Sequence, residues 1–96
     1  MTQSAVTAEE FAAGLKADGF AETLTRRMEA GQAAPTHTHP FDARLLVLDG
    51  EIILEQGGTT RHYGPGEAFE VLAGVPHSES FGPAGAAYLV GRRAAG

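Results

Sequence analysis

The chain has 96 residues, 43% of them apolar, with seven basic and twelve acidic side chains and a formal charge of −5. That composition supports one buried core, leaves too little chain for two domains and excludes disorder. The acidic balance argues against nucleic acid as a partner, no run of about 18 apolar residues supports a membrane span, and the lack of cysteine removes disulfides, thiolate metal sites and thiol catalysis.

The N-terminus has neither a basic nor an apolar signal region, which with the missing cysteines predicts a cytoplasmic protein. Thr7 followed by Glu10 forms a capping-box pattern, Val6 could staple onto Phe11, and Phe11 and Leu15 share a face. These signals predict one amphipathic helix over 8–18, stopped by Gly19. Residues 1–19 are thus expected to form a helical segment packed on a barrel domain of residues 20–96.

From Phe20 onward the pattern favours strands. The pairs Arg26–Arg27 and Arg92–Arg93 are the densest basic sites and read as solvated surface. "ARLLVL" and "EIILEQ" flank Asp49-Gly50, a two-residue hairpin signal, and Gly57-Gly58 offers a second tight turn before "TTRHY". "EAFEVL", "PHSESF" and "AAYLVGR" follow, each after a glycine-containing turn. Six or seven short strands at this spacing predict an all-β sandwich or small barrel.

His37 and His39 lie two apart, so on a strand both imidazoles face one side, a geometry that can chelate a transition metal. Regular alternation puts Phe41, Ala43, Leu45 and Val47 on that side as well. Pairing across the Asp49-Gly50 turn would add Ile52 and Leu54, and this face reads as the barrel interior. His62 falls outward and reads as surface, while Tyr63 takes the interior parity. No nucleophile elbow accompanies the serines, and "GPGEAF" precedes no helix, so neither a hydrolase triad nor a phosphate loop is supported.

His77 brings a third imidazole from a second motif. Gly31, His37, His39 and Gly50 fill the pattern G-x5-H-x-H-x(3,4)-E-x6-G, and Gly66, Gly74 and His77 fill G-x5-P-x-G-x2-H-x3-N. In these residues the chain resembles a small single-domain cupin of the RmlC-like kind. The resemblance implies a jelly-roll β-barrel that holds a divalent transition metal (Fe, Zn, Ni, Mn or Cu) through His37, His39 and His77. Three departures stand out: Ala43 replaces the acidic ligand, Leu72 the proline and Phe81 the asparagine.

Asp42 points away from the histidines by parity, whereas Glu79 shares the face of His77 and is a candidate fourth ligand or base. Phe69 and Phe81 are further expected pocket walls. Three neutral histidines leave the metal's charge uncompensated, which favours an anionic small-molecule ligand. Leu46, Leu48 and Ile53 form an outward apolar face on the expected hairpin, and small cupins commonly pair through such a face, so a homodimer is expected. The resemblance implies one of two functions: a small-molecule- or metal-binding accessory or sensor module, or, since some cupin dioxygenases hold iron by three histidines, an iron-dependent dioxygenase acting on a small anionic or thiol substrate.

Overall fold

The computed structural model describes residues 7–94. Helix α1 spans Ala8–Ala17, and its start obeys the capping box. The Thr7 hydroxyl accepts from the Glu10 N–H and the Glu10 carboxylate from the Thr7 N–H, both at 3.1 Å. Gly19, at φ +86°, turns the chain out of the helix. The expected Val6 staple lies outside the described residues.

Ten residues do not sustain a helix in water alone. Docking does so here, because Leu15 and Phe20 are each only 1% exposed. Burying side chains of this size contributes about 1.5–3 kcal/mol each. Gly91 makes room for Leu15, since a Cβ there would lie 2.7 Å from Leu15 Cδ1. The Phe20 ring sits between the guanidinium groups of Arg44 and Arg93, 4.4 and 4.5 Å from its centroid. Arg44 pairs with Asp18 and Glu70, and Arg93 donates to Asp42 at 2.9 Å. The Ala73 N–H and then Arg93 hold the Asp42 carboxyl below its ordinary range. Asp42 is thereby tied to the outer network, as its parity required.

Six strands follow: β1 (Glu22–Met28), β2 (Ala33–His37), β3 (Phe41–Gln56), β4 (Thr59–Tyr63), β5 (Ala68–Val71) and β6 (His77–Ala94). All pairs are antiparallel. The long strands β3 and β6 pair with each other along most of their length and bend from one layer into the other. One layer runs β1, the C-terminal half of β6, the N-terminal half of β3, then β5. The other runs β2, the remaining halves of β6 and β3, then β4. This is a jelly roll, all-β among the described residues apart from α1.

The expected hairpin at Asp49-Gly50 does not form. β3 continues unbroken through these residues, with register shifts between Val47 and Asp49 and between Gly50 and Ile52. Gly50 does take a positive φ of +76°, but it serves a corner where β3 and β6 turn together. Instead of pairing across a turn with each other, the two flanking segments both pair with β6, Val47 opposite Tyr88 and Ile52 opposite Phe81. The "HSESF" of "PHSESF" and "AAYLVGR" likewise belong to one strand, β6. Gly57 and Gly58, by contrast, make a tight turn with φ of +61° and +79°, and Gln56 pairs with Thr59 across it.

The core between the layers is built on Val47 and Ile52, both 0% exposed, with Leu45, Leu54, Phe69 and Val71 around them. Leu46 faces the other way yet is only 1% exposed, on a strand that α1 packs against. The outward apolar face expected on Leu46, Leu48 and Ile53 is therefore smaller than its sequence suggested. Leu48 is 37% exposed and Ile53 is partly buried.

Candidate metal centre

The two motif segments meet where β2 and β6 run side by side. His37 closes β2 directly opposite His77, which opens β6, and Gln56 at the end of β3 flanks His77 on its other side. His39 stands in the short break between β2 and β3. The continuous alternation expected from His37 to Val47 is thus interrupted, and β2 carries a further irregularity between Ala34 and His37. The imidazoles still converge. Their ring centroids are 4.3 Å apart for His37 and His77, 4.6 Å for His39 and His77, and 5.0 Å for His37 and His39. One ring nitrogen from each lies within 4.8 Å of the others.

Backbone carbonyls fix which nitrogens are free. His37 Nδ1 lies 2.6 Å from the Pro35 carbonyl and His77 Nδ1 lies 3.0 Å from the Val75 carbonyl. A carbonyl can only accept, so in both rings Nδ1 carries the proton and donates, leaving a lone pair on Nε2. This carbonyl-to-imidazole arrangement is the one that orients histidine ligands toward metals. His77 is 1% exposed, and its Nε2 has no hydrogen-bond partner; neither has the buried Nδ1 of His39. A buried polar atom left without a partner costs about 1–3 kcal/mol. A cation bound by the Nε2 lone pair of His77 would remove that cost there, and a donor set of three converging imidazoles fits a divalent transition metal.

The electrostatics agree. Burial first, then the neighbouring His77, His37 and Arg92, lower the His39 pKa below the ordinary imidazole value and favour the neutral form that binds metal. The His39 ring also stacks on Phe41, 4.5 Å between centroids and 6° from parallel. Because the folded imidazole takes up a proton less readily than the unfolded one, acid favours unfolding. Stability from this group is present above the ordinary imidazole value and is lost as pH falls through the depressed folded value. Metal-free protein is therefore expected to melt at falling temperature over that window. His39→Phe, which keeps the stack, should flatten the profile in a thermal melt series; an unchanged slope would refute the assignment.

Beside the histidines opens a cavity of about 290 Å³. Of the residues expected as its walls, Phe41, Ala43, Leu45, Glu79 and Phe81 line it together with His37 and His39. Val47, Ile52, Leu54 and Phe69 lie in the main core instead. Tyr63 packs on Phe69 at 4.6 Å, and with Leu54 and Phe69 it borders a separate cavity. Ala43, where an acidic ligand belongs to the motif, is 4% exposed and contributes only a methyl group. Among the described residues, the group of ligand atoms within 4.8 Å of one another comes from the histidines alone, and Glu79 is not part of it. His62 is on the surface, with Glu51 Oε2 3.0 Å from its Nδ1.

The cavity also holds Tyr88, which the sequence did not single out, and Arg26 and Arg92, which it read as solvated surface. Tyr88 has its hydroxyl pKa raised, by burial first. Gln56, which borders the separate cavity, was not singled out either; it pairs with His77 across β3 and β6, and its buried Oε1 has no partner. The available signal was the period-two pattern Glu22, Leu24, Arg26, Met28, but which strand it pairs with was not written locally.

Residues 24–81 match the model of the Cupin domain family. The chain belongs to the cupin family. Solved structures similar to it include the DMSP lyase DddQ from Ruegeria pomeroyi DSS-3, at 29% identity and a TM-score of 0.68, covering 74% of this chain and 36% of that one. An RmlC-like cupin from Shewanella frigidimarina NCIMB 400 is 20% identical with a TM-score of 0.68, covering 76% of this chain and 65% of that one. KdgF from Halomonas sp. is 20% identical with a TM-score of 0.65, covering 76% of this chain and 69% of that one. This cupin thus spans about a third of the length of DddQ. A comparison with curated protein sequences finds no match. No helix among the described residues is long and apolar enough to cross a membrane.

Proposed function

We propose that this cupin holds one divalent transition metal through His37, His39 and His77 and binds a small anionic molecule beside it, as an accessory or sensor module. The observation that carries the reading is the pair of buried, partnerless ring nitrogens on His39 and His77 within a three-imidazole cluster. When bound, the metal would supply Lewis acidity and positions open to an exogenous ligand. The protein's own part is to orient His37 and His77 through the Pro35 and Val75 carbonyls and to favour the neutral form of His39 by burying it. Metal analysis of untagged protein tests the reading. About one equivalent of a transition metal is expected, and near-zero content in every preparation, unchanged in His77→Ala, would remove it.

A second reading, an iron-dependent dioxygenase for a small anionic or thiol substrate, draws on the cavity wall. Glu79 and Tyr88 both line the cavity that opens beside the histidines. The Tyr88 hydroxyl, protonated at neutral pH like any phenol and pushed further that way by burial, can donate to a bound anion. Iron in the isolated protein with substrate-dependent oxygen uptake would favour this reading. The absence of cysteine supports a cytoplasmic location. The homodimer expectation now rests on Leu48 and Ile53, and a gel-filtration mass of one chain would remove it.

A further inference from the structure

The chain carries twelve acidic and seven basic side chains, yet the wall of the histidine cavity reverses that balance. Two arginines, Arg26 and Arg92, face it against one carboxylate, Glu79. Sequence placed these arginines in separate solvated pairs more than sixty residues apart. The antiparallel pairing of β1 with β6 brings them to one face, since Arg26 lies opposite Tyr88 and Arg92 stands on the same side of β6 as Tyr88 and Val90. Both guanidinium charges act on the Tyr88 hydroxyl, and that of Arg92 also acts on His39. The two arginines therefore border one shared space next to the imidazoles.

Neither charge is neutralised by a close partner. Arg26 makes no ion pair among the described residues, and Arg92 reaches only Glu22, at 3.9 Å on the exposed rim. By contrast, Arg44 and Arg93 are held at 2.6 and 2.9 Å in the network around Phe20. Around the arginines the wall is apolar, with Met28, Phe41, Phe81 and Val90. A volume of about 290 Å³ holds roughly ten waters at ~30 Å³ each, the space of a small organic molecule.

From this arrangement we infer that the cavity takes a small organic carboxylate, its charged group held at the wall bearing Arg26 and Arg92 and its hydrocarbon body lying over Met28, Phe41, Phe81 and Val90. Guanidinium groups match carboxylate oxygens in geometry and are more weakly hydrated than ammonium, so they give up water to an anion readily. Glu79 on the same wall disfavours ligands with a second negative charge on its side, which makes monocarboxylates the fitting class. The inference names the ligand for the anion site of the proposed function and rests on that reading, but the arginines' part is separable from the metal's.

The experiment is calorimetric titration of the full chain, metal-free and zinc-loaded, with straight-chain monocarboxylates from acetate to hexanoate and with benzoate, each against its uncharged amide. Carboxylates should bind metal-free protein at least about tenfold better than the amides. Arg26→Gln and Arg92→Gln should each weaken carboxylate binding roughly ten- to hundredfold, the worth of a charged hydrogen bond, without lowering zinc content. Both arginines are at least partly exposed, so neither change should cost the fold, which a thermal melt would verify. Equal binding of acids and amides, no binding of any acid, or an acid preference surviving in the double variant would overturn the inference. Zinc binding that persists alongside such a failure leaves the metal reading intact. Arginine-dependent carboxylate binding in a protein that takes no zinc would uphold the inference and reject the metal.

Discussion

Gly50→Ala is expected to abolish stable folding. The residue holds φ at +76°, where a side chain costs about 1–2 kcal/mol. A Cβ there would also lie 2.1 Å from the Gly85 carbonyl oxygen and 2.9 Å from Ala86 Cα, all backbone of the partner strand. Neither neighbour is the end of a flexible side chain, so relief requires moving β3 or β6 at the corner that joins the two layers. Val47 and Ile52, at the centre of the core, lie just either side of that corner. The combined loss should exceed about 4 kcal/mol, a large share of the ~5–15 kcal/mol that stabilises a typical domain. Gly57→Ala is the control, because Gly57 also has positive φ, +61°, but nothing lies within 4 Å of its would-be Cβ. Its cost should stay near 1–2 kcal/mol, or a fall of roughly 5–15 °C in melting temperature. Similar melting temperatures for the two variants would contradict the corner assignment.

The second large effect concerns His77. Zinc at about a hundredfold excess over its dissociation constant stabilises a folded protein by ~2.7 kcal/mol, which for a domain of this size raises the melting temperature by roughly 10–20 °C. His77→Ala should lose that zinc-dependent rise. Because His77 is 1% exposed, its removal also lowers the baseline through the space it leaves, so the decisive quantity is the difference with and without zinc in the same variant. His62→Ala should keep the full rise, since His62 is exposed and pairs with Glu51 rather than with the cluster. An undiminished zinc shift in His77→Ala would show that the metal binds elsewhere.

What could be read from the chain was what is written locally. The capping box at Thr7, the tight turn at Gly57-Gly58 and the outward placing of Asp42 and His62 each depend on a few neighbouring residues, and each is found in the structure. Asp49-Gly50 carries the same local signal as a hairpin turn, and there the long pairing of β3 with β6 overrides it. A corner and a hairpin ask the same positive φ of a glycine, so the local signal did not separate them. Leu46 was read as an exposed apolar residue because nothing local says that α1 lies on its strand.

The histidines were legible because each falls in a spaced motif, and β2–β6 pairing then brings His37 opposite His77. Arg26 and Arg92 were not, since their common face exists only through β1–β6 register across more than sixty residues of chain. Gln56 was silent for the same reason, becoming notable only where its buried amide oxygen lacks a partner beside His77. The missing acid at Ala43, in contrast, was visible at once and leaves the imidazoles as the cluster's only donors among the described residues.

Calorimetric titration of metal-free, untagged protein with zinc tests the central claim most directly. One equivalent should bind, with His37→Ala, His39→Ala and His77→Ala each weakening it by more than the ~10–100-fold that loss of a supporting contact to a ligand costs. No saturable binding, or one equivalent retained undiminished by all three variants, would contradict a three-histidine metal centre.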